Sequence, residues 1–288
     1  MIKIYGASFA KWIYPTWSDF LDWYFDVSTQ NYARPGYSQA GIKRKIYTTA
    51  KPGDTIFVQF DVNERIDYAV DLKFARQNNR LDIYKNPWGT NSFTCEDLLF
   101  TRRAPSETSL FHKLIDSLEC IIDIQNFCEA NNIDYKFVSG QSLFADMNTR
   151  TGNIGKPISI NKFLKHPLFR YLYNNIKKDK FLDEFPTGLG EFDVSIDGHK
   201  YKPDWELHPS CYGNFLYFEK YIMNTLDLPI KNSLEDIKNA ALNFSNWSKD
   251  KSMEELNIKG ASSTHEIYGK SLAYSRKYIF QQFFNNLS

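Results

Sequence analysis

Two short segments carry residue types suited to acyl-transfer chemistry. They are Gly6-Ala7-Ser8-Phe9 near the start of the chain and Asp204-Trp205-Glu206-Leu207-His208-Pro209-Ser210 far along it. A serine hydroxyl becomes a nucleophile when a base takes its proton, and a histidine base needs a carboxylate on its second ring nitrogen to fix its tautomer. Ser8 follows a short apolar strand and precedes a helical pattern, so its own backbone N–H can face a developing anion. Read alone, the triplet is more often a turn serine capping a helix. It is not the Gly-x-Ser-x-Gly elbow, because Ala10 stands two residues after Ser8. Pro209 fixes the backbone directly behind His208. Asp204 and Glu206 both lie within reach of the imidazole if the loop bends; Asp204 is preferred as the acid, with Glu206 the alternative.

An acyl-transfer site also needs donors for the oxyanion. In Asn31-Tyr32-Ala33-Arg34-Pro35-Gly36, Gly36 presents an N–H with no side chain in the way. In Val58-Gln59-Phe60-Asp61-Val62-Asn63-Glu64, Asn63 offers an amide just past a buried strand. Such donors are each worth about 2.7–4 kcal/mol in the transition state. Individually, both residues are also ordinary turn formers.

These segments need a frame. Ile2-Lys3-Ile4-Tyr5 alternates as a short strand ending at Gly6, and apolar spacing from Trp17 to Phe25 predicts a helix starting near Ser18-Asp19. A helix to about Thr49 follows the turn-rich stretch 31–41. Lys51-Pro52-Gly53-Asp54 is a turn, and Thr55–Phe60 a buried strand. Residues 66–105 read as irregular. The stripe Leu110, Phe111, Leu114, Ile115, Leu118, Ile121 and Ile122 predicts a long helix ending at Asn131-Asn132, before a strand at Tyr135–Val138. Further helices are expected at about Tyr212–Leu226, Ser233–Phe244 and Glu266–Phe284. Strands alternating with helices predict a mostly parallel sheet covered on both faces, with ligands beyond the carboxyl ends of its strands.

Taken together, Gly-x-Ser, Asn-x-Ala-x-x-Gly, a strand followed by Asn63, and the late acid–histidine pair resemble the four blocks of the SGNH (GDSL-like) hydrolases. The run His208-Pro209-Ser210 with Gly213 also looks like that family's HPS-x-x-G ending. The resemblance covers residues 1–68 and 204–218. It implies a flavodoxin-like three-layer α/β/α fold, with Ser8 as nucleophile and His208 as base. It also implies an oxyanion hole from Gly36, Asn63 and the Ser8 N–H. Two departures stand out: Ala7 occupies the position of the usual Asp, and Trp205 a usual acid position. The expected organisation is a single catalytic domain over 1–288, with an insertion at 141–203 and a helical C-terminal extension at 229–288.

The implied reaction is ester hydrolysis, by family habit of acetyl or other small acyl groups, including those on carbohydrates. Transfer of the acyl group to a polysaccharide hydroxyl is a second reading. A non-catalytic glycan-binding or assembly protein on the same scaffold is a third, kept open by the unusual acid spacing.

Composition narrows the field. The net charge of +1 over 288 residues gives no field to gather nucleic acid, so Lys43-Arg44-Lys45 and Lys177-Lys178-Asp179-Lys180 read as solvated faces. Cys95, Cys120, Cys128 and Cys211 form no CxxC pair, and the histidines lack metal-ligand spacing, so neither a metal nor another cofactor is expected. No apolar run approaches the ~18 residues of a membrane span, and no signal-peptide core precedes Gly6; a cytoplasmic setting is the expectation. Aromatic residues reach 16% of the chain, which is either a Phe/Tyr-rich core or a ligand groove involving Trp12, Tyr14, Trp17 and Tyr37.

Overall fold

The computed structural model describes residues 1–7, 10–11, 15–34, 37–60, 110–139, 160–183, 185 and 208–250, and the backbone of 65–69, 92–94 and 99–103. Its centre is a parallel sheet in the order β2-β1-β3-β7, with β1 at Ile2–Tyr5, β2 at Thr29–Asn31, β3 at Thr55–Phe60 and β7 at Asp134–Ser139. Ile4 pairs with Asn31 on one side and Phe57 on the other, and Phe57 pairs in turn with Lys136. Beyond β7 the chain returns at Phe181, which bridges Phe137 in parallel, with Leu182 N–H donating to Phe137 O at 2.9 Å. With that bridge counted as a fifth position the order is the flavodoxin-like 2-1-3-4-5, whose topological switch point lies between β1 and β3.

Side-chain alternation along the strands divides the core into two layers. On one face Ile4, Phe57 and Val138 pack with Trp17, Phe20 and Leu21 of α1 (Trp17–Tyr24). The same layer takes in Phe215 of the helix Cys211–Tyr217, and Ile237, Ala240 and Phe244 of the helix Leu234–Ser248. On the other face Ile56, Val58 and Phe60 pack with Ile42 and Ile46 of α2 (Gln39–Thr49), Leu118 and Ile121 of α3 (Leu110–Ala130), and Phe169 of α4 (Pro167–Asn175). The last two α-helices among the described residues are α5 (Cys211–Tyr217) and α6 (Leu234–Ser248). This is a three-layer α/β/α fold. The aromatic surplus goes largely into it: Trp17 and Tyr37 are buried core side chains, not groove walls, while Trp12 and Tyr14 lie outside the described residues.

Local chemistry sets the element ends. The first helix begins one residue earlier than Ser18-Asp19 implies. Thr16 precedes it, and Asp19 in its first turn accepts from Thr16 N at 2.8 Å. Ser38 and Ser210 cap α2 and α5, each accepting from the backbone three residues on. At the foot of the sheet, the buried Lys3 ammonium lies 2.6 Å from Asp54 Oδ2 and also donates to Thr49 O at 2.7 Å.

Three differences from the sequence reading have clear causes. β2 is only three residues long and polar, so it carries no hydrophobic period. Residues 66–105, read as irregular, contain strands of an antiparallel sheet in the order β4-β6-β5, with β4 at Arg65–Ala69, β5 at Ser92–Thr94 and β6 at Leu99–Arg103. The expected helix 212–226 is α-helical only to Tyr217, then widens to a π-turn at Phe218–Ile222 and tightens to 3₁₀ at Met223–Thr225. Apolar spacing registers a helix but not a change of its pitch. Within the stretch 141–203, the described residues 160–183 supply α4 and the Phe181 bridge. Within 229–288, α6 completes one core layer; the expected helix at Glu266–Phe284 lies outside the described residues.

Candidate active site

The carboxyl ends of β1 and β3 meet at Gly6 and Gln59. A Cβ on Gly6 would stand 2.9 Å from Gln59 Cβ and 3.1 Å from Ala10 Cβ, so only glycine lets the two strands end this close. The loop leaving Gly6 is tied down by its neighbours. Ala10 O accepts from Ser18 Oγ at 2.8 Å, Asn31 Nδ2 at 2.9 Å and Thr16 Oγ1 at 3.2 Å. Asn31 also accepts from Ala33 N at 2.9 Å, and Arg34 N donates to Gly6 O at 3.1 Å. The asparagine at the end of β2 thus fastens the loop after β1 to the start of α1.

The second segment arrives from the far end of the chain. His208, Pro209 and Ser210 form the turn into α5, with Gly213 N donating to Ser210 Oγ at 2.9 Å. Asn214, 1% exposed, donates from Nδ2 to Pro209 O at 3.1 Å and to Ser210 O at 2.9 Å. Its Oδ1 accepts from Trp17 N at 3.1 Å. Trp17 Nε1 in turn donates to Gln59 Oε1 at 3.0 Å, whereas Gln59 Nε2 is buried without a partner among the described residues. The turn holding His208, the first residue of α1 and the end of β3 are therefore linked by consecutive buried hydrogen bonds.

One turn further along the same helix, Tyr217 donates to Asp183 Oδ2 at 2.7 Å, and Ser139 N donates to the same oxygen at 3.1 Å. Burial pushes the Asp183 carboxyl up to about 7, against the lowering pull of those two donors. The Ser139 hydroxyl also draws the value down, yet among the described residues neither Ser139 Oγ nor Asp183 Oδ1 makes a well-formed hydrogen bond. Both are buried polar groups at the carboxyl end of β7. Burial likewise pushes the Tyr217 phenol well up.

Of the residues read as a site, His208 is described and stands at the carboxyl edge, partly buried. Ser8, Gly36, Asn63, Asp204 and Glu206 lie outside the described residues, although Gly6, Ala7, Ala10, Ala33 and Phe60 flank the first three in sequence. The sequence reading passed over Asn31's anchoring side chain, Gln59, Asp183, Asn214 and Tyr217. Asn214 had one available signal, its place directly after the Gly213 of the histidine motif. The cysteines offer no competing nucleophile among the described residues. Cys120, Cys128 and Cys211 are buried free thiols, and burial pushes Cys120 up to about 11 and Cys128 up to about 12. Among the described residues no cluster of three metal-ligating side chains occurs, and no helix is long and apolar enough to cross a membrane.

Neither a protein-family profile nor a curated protein matches the chain. Among solved structures, it is similar to a member of the lipolytic protein G-D-S-L family from Veillonella parvula DSM 2008. That likeness has 16% identity and a TM-score of 0.38, over 78% of this chain and 98% of that one. It is also similar to the protein YxiM from Bacillus subtilis, with 12% identity and a TM-score of 0.30, over 91% of this chain and 57% of that one. Neither superposition assigns a role to a residue.

Proposed function

We propose that this chain is a serine ester hydrolase of the SGNH type. Ser8 is the nucleophile, His208 the general base, and Asp204, or alternatively Glu206, the acid that orients the imidazole. The observation that chiefly supports this reading is the Asn214 bridge. It joins the turn of His208 to the first residue of α1, the helix entered by the loop that begins at Gly6 and contains Ser8 in sequence. Residues 197 positions apart are thereby held at one edge of the parallel sheet, beside the switch point where such folds bind ligands.

In the proposed reaction Ser8 Oγ attacks the ester carbonyl as His208 takes its proton. The tetrahedral oxyanion is held by the N–H groups of Ser8 and Gly36 and by the Asn63 amide. Collapse expels the alcohol, which takes the proton back from His208, and leaves acyl-Ser8. Water then attacks the acyl-serine with His208 again as base, releasing the acid and restoring the serine. We assign acetyl or other short acyl esters as substrates, including those carried on sugars.

Treatment with a fluorophosphonate probe, followed by mapping of the labelled peptide, tests the reading directly. Label on Ser8, and loss of p-nitrophenyl acetate turnover in folded Ser8→Ala, are the expected results. Undiminished turnover in that variant removes the nucleophile assignment.

A further inference from the structure

We propose that Asn214 is the positioning residue of the general base, a role that rests on the reading of His208 given above. Pro209 has no N–H to donate, and the turn behind His208 is held through the carbonyls of Pro209 and Ser210. Asn214 Nδ2 takes two of them, Pro209 O and Ser210 O, at 3.1 and 2.9 Å. A primary amide has two N–H donors and one carbonyl acceptor on the same rigid plane. Here both donors face carbonyls, and Oδ1 faces the Trp17 N–H at 3.1 Å.

The partners also fix which way the amide points, since the reverse orientation would set its oxygen against two carbonyl oxygens and its N–H₂ against an N–H. The Trp17 N–H is the first of α1, one of the helix-start donors that have no partner within a helix. The contact therefore satisfies a buried donor of the nucleophile-side helix while setting the height of the histidine turn. Trp17 is itself fixed by its indole bond to Gln59 at the end of β3. Backbone bonding reinforces the frame, since Asn214 N donates to Ser210 O at 2.9 Å. A planar, buried amide between the turn of His208 and the first residue of α1 fixes that turn against the helix more tightly than an apolar contact can.

Asn214→Asp tests this role. It keeps the shape and an acceptor for Trp17 N–H, but turns a carboxylate oxygen toward two carbonyls. If Asn214 acts through His208, kcat for p-nitrophenyl acetate falls by about 10²-fold, the scale of a displacement of roughly 1 Å at a reacting group. KM stays within about two-fold, because substrate contacts are untouched. The combined Asn214→Asp/His208→Ala variant should then be no slower than His208→Ala alone. Asn214→Ala, which removes both functions of the amide without adding charge, goes through the same cycle in case the aspartate variant does not fold; circular dichroism and melting temperature establish folding for each. A folded variant with near-normal kcat, or a double variant slower than His208→Ala by the full single-mutant factor, overturns the positioning role. Wild-type turnover in His208→Ala would instead remove the general base, and the two failures are thus told apart.

Discussion

Replacing Asp183 by Asn should make the protein more stable, and increasingly so as pH rises. The carboxyl lies just past the Phe181 bridge, 6% exposed, accepting from Tyr217 OH and Ser139 N on Oδ2. Burial outweighs those donors and lifts it from 3.8 to about 7. A carboxyl raised on folding binds more protons in the folded than in the unfolded chain between those two values. Stability contributed by this group is therefore fully present below the unfolded value and is lost as pH rises through the folded one. At about 1.4 kcal/mol per unit, the lift to about 7 corresponds to about 4 kcal/mol lost by pH 8 and about 2 kcal/mol by pH 5. Asparagine keeps an acceptor for Tyr217 and Ser139 N, stays neutral, and can turn its N–H₂ toward the buried Ser139 Oγ. Urea unfolding followed by tryptophan fluorescence at pH 4, 5 and 8 reads the difference between Asp183→Asn and wild type. The variant should be within about 1 kcal/mol of wild type at pH 4 and gain on it by up to about 4 kcal/mol at pH 8. A difference that is flat with pH, or a variant weakened equally throughout, would refute the claim that burial governs this carboxyl.

Two further outcomes follow from the structure and a third from the proposed function. Gly6→Ala drives a Cβ to 2.9 Å from Gln59 Cβ, so β1 and β3 must part at the site; a loss of about 1–3 kcal/mol in unfolding free energy is expected, with turnover falling too. Lys3→Met strands the Asp54 carboxylate at the foot of the sheet and should cost about 3–5 kcal/mol at pH 7, measured by denaturant unfolding. Burial alone would raise the Asp54 value, but hydrogen bonds from Lys3 and Lys51 N and the Lys3 charge hold it below the usual carboxylate range. The wild-type advantage is therefore present above about pH 4 and lost as pH falls through that lowered value, so the two acid-unfolding curves should converge. Asn63→Asp replaces the proposed oxyanion donor by an anion of nearly equal shape; on that proposal kcat should drop by at least about 10²-fold with KM little changed, and Asn63→Ala should fall between it and wild type.

The sequence determined the elements whose physics is local. The apolar stripe from Leu110 to Ile122 could bury only as one helical face, and the β-branched and aromatic run Thr55–Phe60 only as a strand covered on both sides; both stand where their spacing put them. Alternation of strands with helices carried the parallel sheet as well. The types of the proposed site residues were legible too, because acyl transfer needs a nucleophile, a base and donors, and few segments of the chain combine them. What only the tertiary structure decided are relations between distant residues. Polar Thr29–Asn31 becomes a strand because β1 offers it an open edge, and Phe181 joins the sheet because β7 does. An asparagine one residue past the histidine motif carries no periodicity, so its bond to Trp17 cannot be read along the chain. Nor can the near-neutral carboxyl of Asp183, whose character comes wholly from burial against Tyr217 and Ser139. Hydrophobic period reports which face of an element is buried. It says nothing of which polar groups meet once two faces close, and at this sheet edge those meetings hold the turn of His208 against the first residue of α1.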